Sequence, residues 1–193
     1  MSEDGYEVFE DPYCYKGTFV LKNRAGLRDA VRLQAFELEM SSLRAEEPLP
    51  AGRFGPAHYR AIHRHLFGDV YSWAGRYRTV RTAKGGHVFC YPENIDGQMT
   101  MLFERLRSKA FTALDGDAAF IKAAAKFLGD LNAIHAFREG NGRIQLAFMH
   151  LLSAKLGYAM DLTRIRPQAF LDAMIASFGG DLAPLEAELR LLL

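Results

Sequence analysis

Along most of the chain, apolar side chains recur every three or four residues, the spacing that places them on one face of an α-helix. The first such run covers residues 27–47, and the Pro48–Pro50 stretch that follows it ends the helix. Its apolar positions are Leu27, Val31, Leu33, Phe36, Leu38, Met40 and Leu43. Further helices are predicted over residues 56–67, 92–111, 118–134, 141–156, 167–178 and 182–192. The pattern predicts a mainly α fold of about six to eight helices.

Residues 78–91 break this helical pattern. β-Branched and aromatic residues stand on both sides of a Lys-Gly-Gly turn at 84–86, which is typical of a short β-hairpin. A helical bundle has no packing need for such a hairpin, so we interpret it as a functional flap. Residues 1–26 contain Pro and Gly breakers, and we expect them to form an irregular segment that packs on a single domain made by residues 27–193.

The composition is that of an ordinary globular protein: of 193 residues, 49% are hydrophobic and 24% are charged, and the formal net charge is +1. That balance requires neither a nucleic-acid nor a membrane partner. The chain starts with an acidic stretch instead of a secretory signal, and no run reaches the ~18 apolar residues of a membrane span. Cys14 and Cys90 match no metal or redox spacing. We therefore expect a cytoplasmic protein, with export by a signal-independent secretion machinery left open.

The segment 135–143, His-Ala-Phe-Arg-Glu-Gly-Asn-Gly-Arg, holds the candidate chemistry. Its glycines allow the backbone to approach a ligand closely, and the helix that follows offers unpaired N–H groups to an anion. Arg143 adds donors for phosphate oxygens, Glu139 is a hard ligand for Mg²⁺, and His135 can accept a proton near neutral pH. Each residue taken singly has a structural explanation as a helix cap, a turn or a surface charge. Together they are the groups that phosphate-centred transfer needs.

This segment resembles the signature of the Fic family, H-x-F-x-[DE]-G-N-G-R-x-x-R, and matches it at every fixed position from His135 to Arg143. The similarity continues upstream in Asp11-Pro12-Tyr13, Val20-Leu21-Lys22-Asn23, residues 62–71, Trp73-Ala74-Gly75 and Arg78-Thr79-Val80-Arg81. It covers about residues 10–180 and is similar to bacterial Fic toxins and to the Fic domains of secreted effectors. The resemblance implies a Fic-type helical domain with one short β-hairpin flap.

The resemblance also implies a protein AMP-transferase that moves AMP from ATP to a hydroxyl of a target protein. His135 is then the base that deprotonates this hydroxyl, Glu139 holds Mg²⁺ between the α- and β-phosphates, and Phe137 anchors the loop in the core. The residues implied to bind the nucleotide phosphates are Arg138, Gly140, Asn141, Gly142 and Arg143. The amides of residues 140–142 would form an anion hole, with the Asn141 side chain near the α-phosphate. A relative with Lys in place of Gly142 binds the nucleotide reversed and phosphorylates, so Gly142 favours AMP transfer.

The flap is implied to pair strand to strand with an extended segment of the target, a mode that makes little demand on the target sequence. Its implied contact residues are Thr82, Lys84, Gly85, His87, Val88 and Phe89. Targets of such proteins are ATP-dependent topoisomerase subunits for toxins and small GTPases for effectors. A small antitoxin that inserts an inhibitory Glu is a further implied partner. An internal inhibitory motif, [ST]-x-x-x-E-[GN], is approached only by Ser42 to Glu46, which we expect on the exposed face of the first helix.

Two positions depart from the family signature. Leu146 stands where the signature has its final Arg, which holds the γ-phosphate and pairs with the inhibitory Glu, and Ala136 stands where Pro is common. Losing a charge-assisted contact to phosphate costs on the order of 1.5–3 kcal/mol. Three alternatives follow: weaker use of ATP, a different donor nucleotide, or a non-catalytic binding module. His58, His63 and His65 cluster with Arg53, Arg60 and Arg64, and a metal site is the minor alternative for these histidines. The arginines are interpreted as a solvated helix face, with guidance of an acidic target as the alternative.

Overall fold

The computed structural model describes residues 6–8, 11–107 and 115–193, and of residues 6–8 the backbone only. The helices of this part are α1 Ala30–Glu46, α2 Pro56–Phe67, α3 Pro92–Arg107, α4 Gly116–Ile134, α5 Asn141–Leu156, α6 Pro167–Phe178 and α7 Ala183–Leu192, with a 3₁₀ turn at Leu162–Arg164. The strands are β1 Tyr6–Val8, β2 Thr82–Lys84 and β3 His87–Val88. The predicted mainly α fold is confirmed. The end of the helix predicted over residues 92–111 lies outside the described residues.

The first helix begins later than predicted and buries polar as well as apolar residues. Asp29 caps it, because its Oδ1 accepts a hydrogen bond from the Arg32 N–H at 2.8 Å. The buried positions of α1 are Leu33, Glu37 and Ser41. Three of the apolar positions are exposed instead, namely Val31, Leu38 and Leu43. Phe36 and Met40 are half-buried and pack against the core, so the spacing identified the inward side of α1 but not that Glu37 and Ser41 are buried there.

Helix α4 is the centre of the fold and packs against α3, α5, α6 and α7. Small residues allow the close approach: Ala124 and Ala125 are fully buried, and a Cβ added at Gly129 would lie 3.2 Å from Leu182. Aromatic rings of α2, α3, α4 and α5 fill the adjoining core, namely Tyr59, Phe103, Phe127 and Phe148. Because α4 is held on several sides, the loop that follows it leaves the core at a defined place.

The flap belongs to a three-stranded antiparallel sheet of order β1-β2-β3. The predicted hairpin is present as β2 and β3, joined by Gly85 and Gly86 at φ 57° and 80°. Two consecutive residues with positive φ form the tight turn that matches strand twist, and glycine adopts it without strain. The prediction that residues 1–26 are wholly irregular was wrong, since β1 lies within them and pairs with β2. Strand β2 is therefore central, and β3 is an exposed edge strand.

Residues 11–26 fold back on the helical body. Cys14 and Leu21 are buried and pair as an isolated antiparallel bridge. Burial raises the pKa of the Cys14 thiol to about 12, with a further contribution from its hydrogen bond to Asp11. In the part of the chain that the structure describes, no helix has the length and apolar character needed to cross a membrane.

Candidate active site

The loop over residues 135–143 joins the end of α4 to the start of α5. His135 ends α4 in the left-handed conformation, with φ 48° and ψ 59°, which residues other than glycine rarely adopt. Helix α5 starts at Asn141, so the N–H groups of its first turn face the loop without intrahelical partners. The sequence therefore brings a histidine side chain and a helix N-terminus together at one end of the two central helices.

Two cavities open on this loop. The first has a volume of about 500 Å³ and borders His135, Gly142 and Leu146. The second has a volume of about 360 Å³ and borders Glu139 and Arg143. The flap residue Lys84 lines both cavities, so it stands between the histidine side and the carboxylate side of the loop.

The unusual backbone at His135 is held by one buried arginine. Arg78 is 2% exposed, and its Nε donates to the carbonyl of His135 at 2.7 Å. The other guanidinium nitrogens donate to the carbonyl of Ile134 at the end of α4 and to those of Val80 and Cys90 on the two sides of the flap. Burial is the main reason that the pKa of Arg78 falls to about 10. Arg78 thereby joins the active-site loop to the base of the flap.

The His135 ring is buried and neutral. It stacks on Phe89 with ring centroids 3.8 Å apart and planes 13° apart, and the residue is 7% exposed. Its pKa is lowered to about 3, first because burial disfavours the charged ring and then because of the nearby Arg78 guanidinium. The ring is therefore unprotonated at neutral pH, which is the state that a general base requires.

The middle of the loop is pinned into the core. Phe137 is fully buried and stacks on His63 at 3.8 Å between ring centroids. The Asn141 side chain closes the loop, because its Oδ1 accepts from the Phe137 N–H at 3.0 Å and its Nδ2 donates to the Phe137 carbonyl at 2.8 Å. Both ends of this amide are thus bonded to the loop backbone, and the phosphate contact expected of the side chain stays a prediction.

Gly140 is at a position where only glycine fits. Its φ is 81°, and an added Cβ would lie 2.4 Å from the Phe67 ring. Its N–H donates to Glu139 Oε1 at 2.7 Å, so the predicted anion hole cannot use this amide without breaking that bond. By contrast, Gly142 is exposed, borders the first cavity and has no atom within 4 Å of an added Cβ. The N–H groups that remain for an anion are those of Asn141 and Gly142.

Glu139 borders the second cavity with a side chain that is 20% exposed. Its backbone carbonyl accepts from His63 Nε2 at 3.0 Å, and His63 Nδ1 accepts from the Gly75 N–H at 2.9 Å. These two bonds define a neutral His63 that carries its proton on Nε2, and burial lowers its pKa to about 3. The pKa of the Glu139 carboxyl is raised, first by burial and then by the negative charge of Glu37.

Arg143 and Arg138 have different surroundings. The Arg143 guanidinium is partly exposed, lies over the Phe67 ring and borders the second cavity with Glu139, 3.9 Å away. Arg138 is 1% exposed, and its guanidinium pairs with Asp11 at 2.8 and 2.9 Å. The expected phosphate contact of Arg138 is therefore replaced by an ion pair that fastens the N-terminal segment to the loop.

The flap residues divide into two groups. Thr82 and Phe89 are buried, and Phe89 supports the His135 ring. The exposed ones are Lys84, Gly85, His87 and Val88. The first three of these border the cavity beside His135. Both edges of β2 are paired, one with β1 and the other with β3. A strand from another protein can therefore pair with the outer edge of β3.

The histidines of α2 hold other parts of the chain in place. His58 and His63 are buried. Each ring meets a different backbone carbonyl: His58 Nε2 lies 2.7 Å from that of Pro50, and His65 Nε2 lies 2.8 Å from that of Arg44. These histidines fasten loops to α2, and among them His63 supports the active-site loop directly.

Sequence reasoning missed three residues of the site: Arg78, His63 and Glu37. Each of them contacts the loop from more than 50 positions away, at Arg78–His135, His63–Glu139 and Glu37–Arg143. The only signal in the sequence was the similarity of the Arg78-Thr79-Val80-Arg81 segment and of residues 62–71 to the family. Glu37 carried no signal, because an acidic residue on a helix is ordinarily solvated.

A helical domain with a His-containing loop between its two central helices, and a hairpin beside that histidine, is the architecture of a Fic domain. The chain belongs to the Fic/DOC family, whose pattern matches residues 53–153. It is 52% identical over 186 residues to the probable protein adenylyltransferase y4lH of Sinorhizobium fredii, covering 96% of this chain and 97% of that one. It is 33% identical to the probable protein adenylyltransferase Fic of Escherichia coli, covering 95% and 92% of the two chains.

Solved structures agree with this assignment. The BepC protein of Bartonella tribocorum, a VirB-translocated effector solved with bound AMPPNP, superposes with a TM-score of 0.82 at 27% identity, over 93% of this chain and 95% of that one. The N-terminal Fic domain of a Bartonella quintana effector, solved with bound ADP, gives a TM-score of 0.82 at 27% identity, over 93% of both chains. Both similarities span nearly the whole chain.

Replacing Arg78 by Lys should lower the free energy of unfolding by roughly 3 kcal/mol, because one ammonium cannot satisfy four buried carbonyls that a guanidinium reaches at once. Urea unfolding followed by circular dichroism measures the change. Arg76→Lys is the matched control, since Arg76 is exposed two positions away. Equal stabilities of the two variants would contradict the role of Arg78 as the link between loop and flap.

Stability should fall as the pH decreases from 6.5 towards 3. His63 and His135 have folded-state pKa values of about 3 against 6.5 for the free side chain. The unfolded chain therefore binds more protons in this window, and the stabilisation is fully present above pH 6.5 and lost below it. Urea unfolding at pH 7.5, 6.0 and 5.0 should show the decrease. His135→Asn should reduce the decrease to about half, since Asn tolerates the left-handed conformation but does not titrate and His63 still does. The exposed His150→Asn should leave the decrease unchanged.

Proposed function

We propose that this protein is a protein adenylyltransferase, which moves AMP from ATP to a hydroxyl side chain of another protein. The observation that carries the proposal is the His135 ring, unprotonated at neutral pH and bordering a cavity of about 500 Å³ together with Gly142 at the start of α5. A base and a helix N-terminus on one cavity suit a reaction at a phosphate. The adenylyltransferase names of the relatives and the nucleotides bound in the Bartonella structures support the same reaction.

In this reaction the target hydroxyl oxygen attacks the α-phosphorus of ATP, and the bond from that phosphorus to the oxygen bridging to the β-phosphate breaks. The hydroxyl proton passes to the His135 ring, and pyrophosphate leaves. The N–H groups at the start of α5 stabilise the charge on the α-phosphate oxygens. Negative phosphates beside the ring raise the pKa of His135 above its ligand-free value, which makes it a stronger base in the complex than in the free protein.

Glu139 is the proposed Mg²⁺ ligand. A carboxylate is a suitable ligand for this ion, and Mg²⁺ in nucleotide sites needs one or two carboxylates because phosphates and waters complete its shell. Glu139 uses Oε1 to accept from Gly140, and its partly exposed carboxylate borders the second cavity. When bound, the ion would neutralise phosphate charge, and Arg143 beside it would contact the phosphate oxygens.

Leu146 supports a second candidate, a transferase that uses ATP weakly or prefers another nucleotide, or a binding module without turnover. Its side chain is half-buried and borders both the cavity beside His135 and a third cavity of about 540 Å³ beside Arg143. A leucine there offers no charge to a γ-phosphate. The intact His135, Glu139 and Arg143 favour catalysis over binding alone.

The target is proposed to add an extended segment to the outer edge of β3, which holds the acceptor hydroxyl near His135. The residues offered to it are the exposed flap positions Lys84, Gly85, His87 and Val88. Topoisomerase subunits and small GTPases are the proposed target classes, and a small antitoxin is a proposed regulator. The proposed place of action is a cytoplasm, either of the producing cell or of a cell that receives the protein as an effector.

His135→Ala should abolish nucleotide transfer and leave nucleotide binding intact, because the ring accepts the proton but is not needed to hold the phosphates. The wild type and variant are incubated with Mg²⁺ and ATP, GTP, UTP or CTP in cell lysate, and intact-mass spectrometry records a nucleoside-monophosphate addition. His135→Asn, which suits the left-handed backbone, separates loss of the base from loss of loop structure. Transfer by either variant at the wild-type rate would show that His135 is not the base.

Leu146→Arg should strengthen ATP binding by roughly tenfold, because it adds a charge-assisted contact for the γ-phosphate. Isothermal titration calorimetry with ATP and with ADP measures the effect, and the gain should be specific to ATP. Leu43→Arg on the exposed face of α1 is the control for added positive charge. An equal gain with ADP, or no gain with either, would show that position 146 does not reach the γ-phosphate.

A further inference from the structure

Glu37 is a buried carboxylate that has no place in the signature of the family. It lies on α1, outside the matched residues 53–153, and is 7% exposed. It shares the inward stripe of α1 with Leu33 and Ser41. The residues that approached an inhibitory motif, Ser42 to Glu46, start on the opposite, exposed side as predicted. A charge that is buried on the inward side of a helix needs partners, and those partners indicate its purpose.

The partners of Glu37 are two groups from distant parts of the chain. The Tyr71 hydroxyl donates to one carboxylate oxygen, and Arg143 Nη2 donates to the other. Tyr71 is itself buried, so it holds the carboxylate in one orientation. Arg143 Nη1 donates to Ser41 Oγ at 2.9 Å, one turn further along α1. Two side chains of α1, Glu37 and Ser41, therefore hold the Arg143 guanidinium by accepting hydrogen bonds from its two Nη atoms.

The hydrogen bonds to α1 leave further N–H groups of Arg143 available to a ligand. A guanidinium has five N–H groups, and the contacts from α1 use two of them. The plane is supported from below by the Phe67 ring, 4.7 Å from the guanidinium carbon. Arg143 and Glu37 border the same cavity of about 360 Å³ as Glu139. Lys84 borders this cavity too, so its charged lining consists of two carboxylates, Glu37 and Glu139, and two cations, Lys84 and Arg143. Cationic donors beside a carboxylate suit a phosphate that carries Mg²⁺.

We propose that Glu37, oriented by Tyr71, is a positioning residue that holds the Arg143 guanidinium so that its remaining N–H groups face the phosphates of the nucleotide. The inference rests on the proposed function and deepens it, because it assigns the geometry of Arg143 to a residue outside the signature loop. The ligand it serves is a nucleoside di- or triphosphate. A carboxylate that merely competed with phosphate for Arg143 would have the opposite effect on binding.

The first test measures how strongly the contacts from α1 protect the Arg143 guanidinium from chemical modification, and it needs no catalytic activity. Phenylglyoxal condenses with two nitrogens of one guanidinium, and both Nη atoms of Arg143 are engaged by α1. Glu37→Gln should speed modification of Arg143, followed by peptide mass spectrometry, at least several-fold. Glu39→Gln is the matched control, since Glu39 is exposed on the same helix. Equal modification rates in the wild type, Glu37→Gln and Glu39→Gln would overturn the proposal.

The second test measures AMPPNP affinity by calorimetry in a double-mutant cycle. Glu37→Gln should weaken binding by roughly 10- to 100-fold, the range of a charge-assisted contact. In an Arg143→Ala background the same substitution should have no further effect, because Glu37 acts through Arg143. An equal loss of AMPPNP affinity in both backgrounds would show that Glu37 does not act through Arg143. Tighter binding by Glu37→Gln would show that Glu37 competes with the phosphates for Arg143. Either result overturns the proposal.

The tests separate this inference from the function on which it rests. If the wild type transfers no nucleotide but the modification rates and the AMPPNP cycle behave as expected, the proposed function fails and the role of Glu37 stands. If the wild type transfers AMP and the cycle is additive, the proposed function stands and the role of Glu37 fails. Glu37→Asp offers a third readout: as a shorter carboxylate it should recover part of the affinity that Glu37→Gln loses.

Discussion

The buried guanidinium of Arg78 is the interaction on which the site depends. It places hydrogen bonds on carbonyls of the end of α4, the first loop residue and both sides of the flap. A carboxylate partner would neutralise the Arg78 guanidinium without linking distant segments. Its carbonyl partners instead belong to three segments of the chain, so the hydrogen bonds fix these segments relative to one another. The left-handed backbone conformation of His135 is stable because hydrogen bonds from Arg78 hold the surrounding backbone in place. The reactive ring therefore has one position between flap and helix.

A second constraint runs through the middle of the loop. Phe137 enters the aromatic core and stacks on His63, which holds the carbonyl of Glu139. Asn141 bonds both backbone groups of Phe137, so the loop is closed on itself between its reactive ends. Rigidity at the centre leaves His135 on one cavity and Glu139 on the other. A nucleotide whose phosphates bridge the two cavities would meet a base at one end and a cation-binding wall at the other.

Much of the site was predictable, because its chemistry is contiguous in the chain. The loop residues His135, Glu139 and Gly142 face cavities, as a run of base, carboxylate and glycine before a helix suggests. Polar side chains are harder to interpret, because the sequence does not reveal their partners. Arg138 resembles a phosphate ligand in the sequence, but its guanidinium pairs with the distant Asp11. The Asn141 amide also resembles a ligand contact, and in the structure it bonds the backbone of Phe137, four positions away. For such residues, side-chain type is compatible with either role.

The helices, the hairpin turn and the order of groups in the loop follow from the amino-acid sequence, because helical spacing, glycine conformations and adjacent residues act over short distances. The burial of Glu37 and Ser41 on α1, the pairing of β1 with β2, and the contacts of Arg78 and Glu37 with the loop arise on folding. A buried polar residue is stable only with its partners, and partners that folding brings together leave no periodic pattern along the chain.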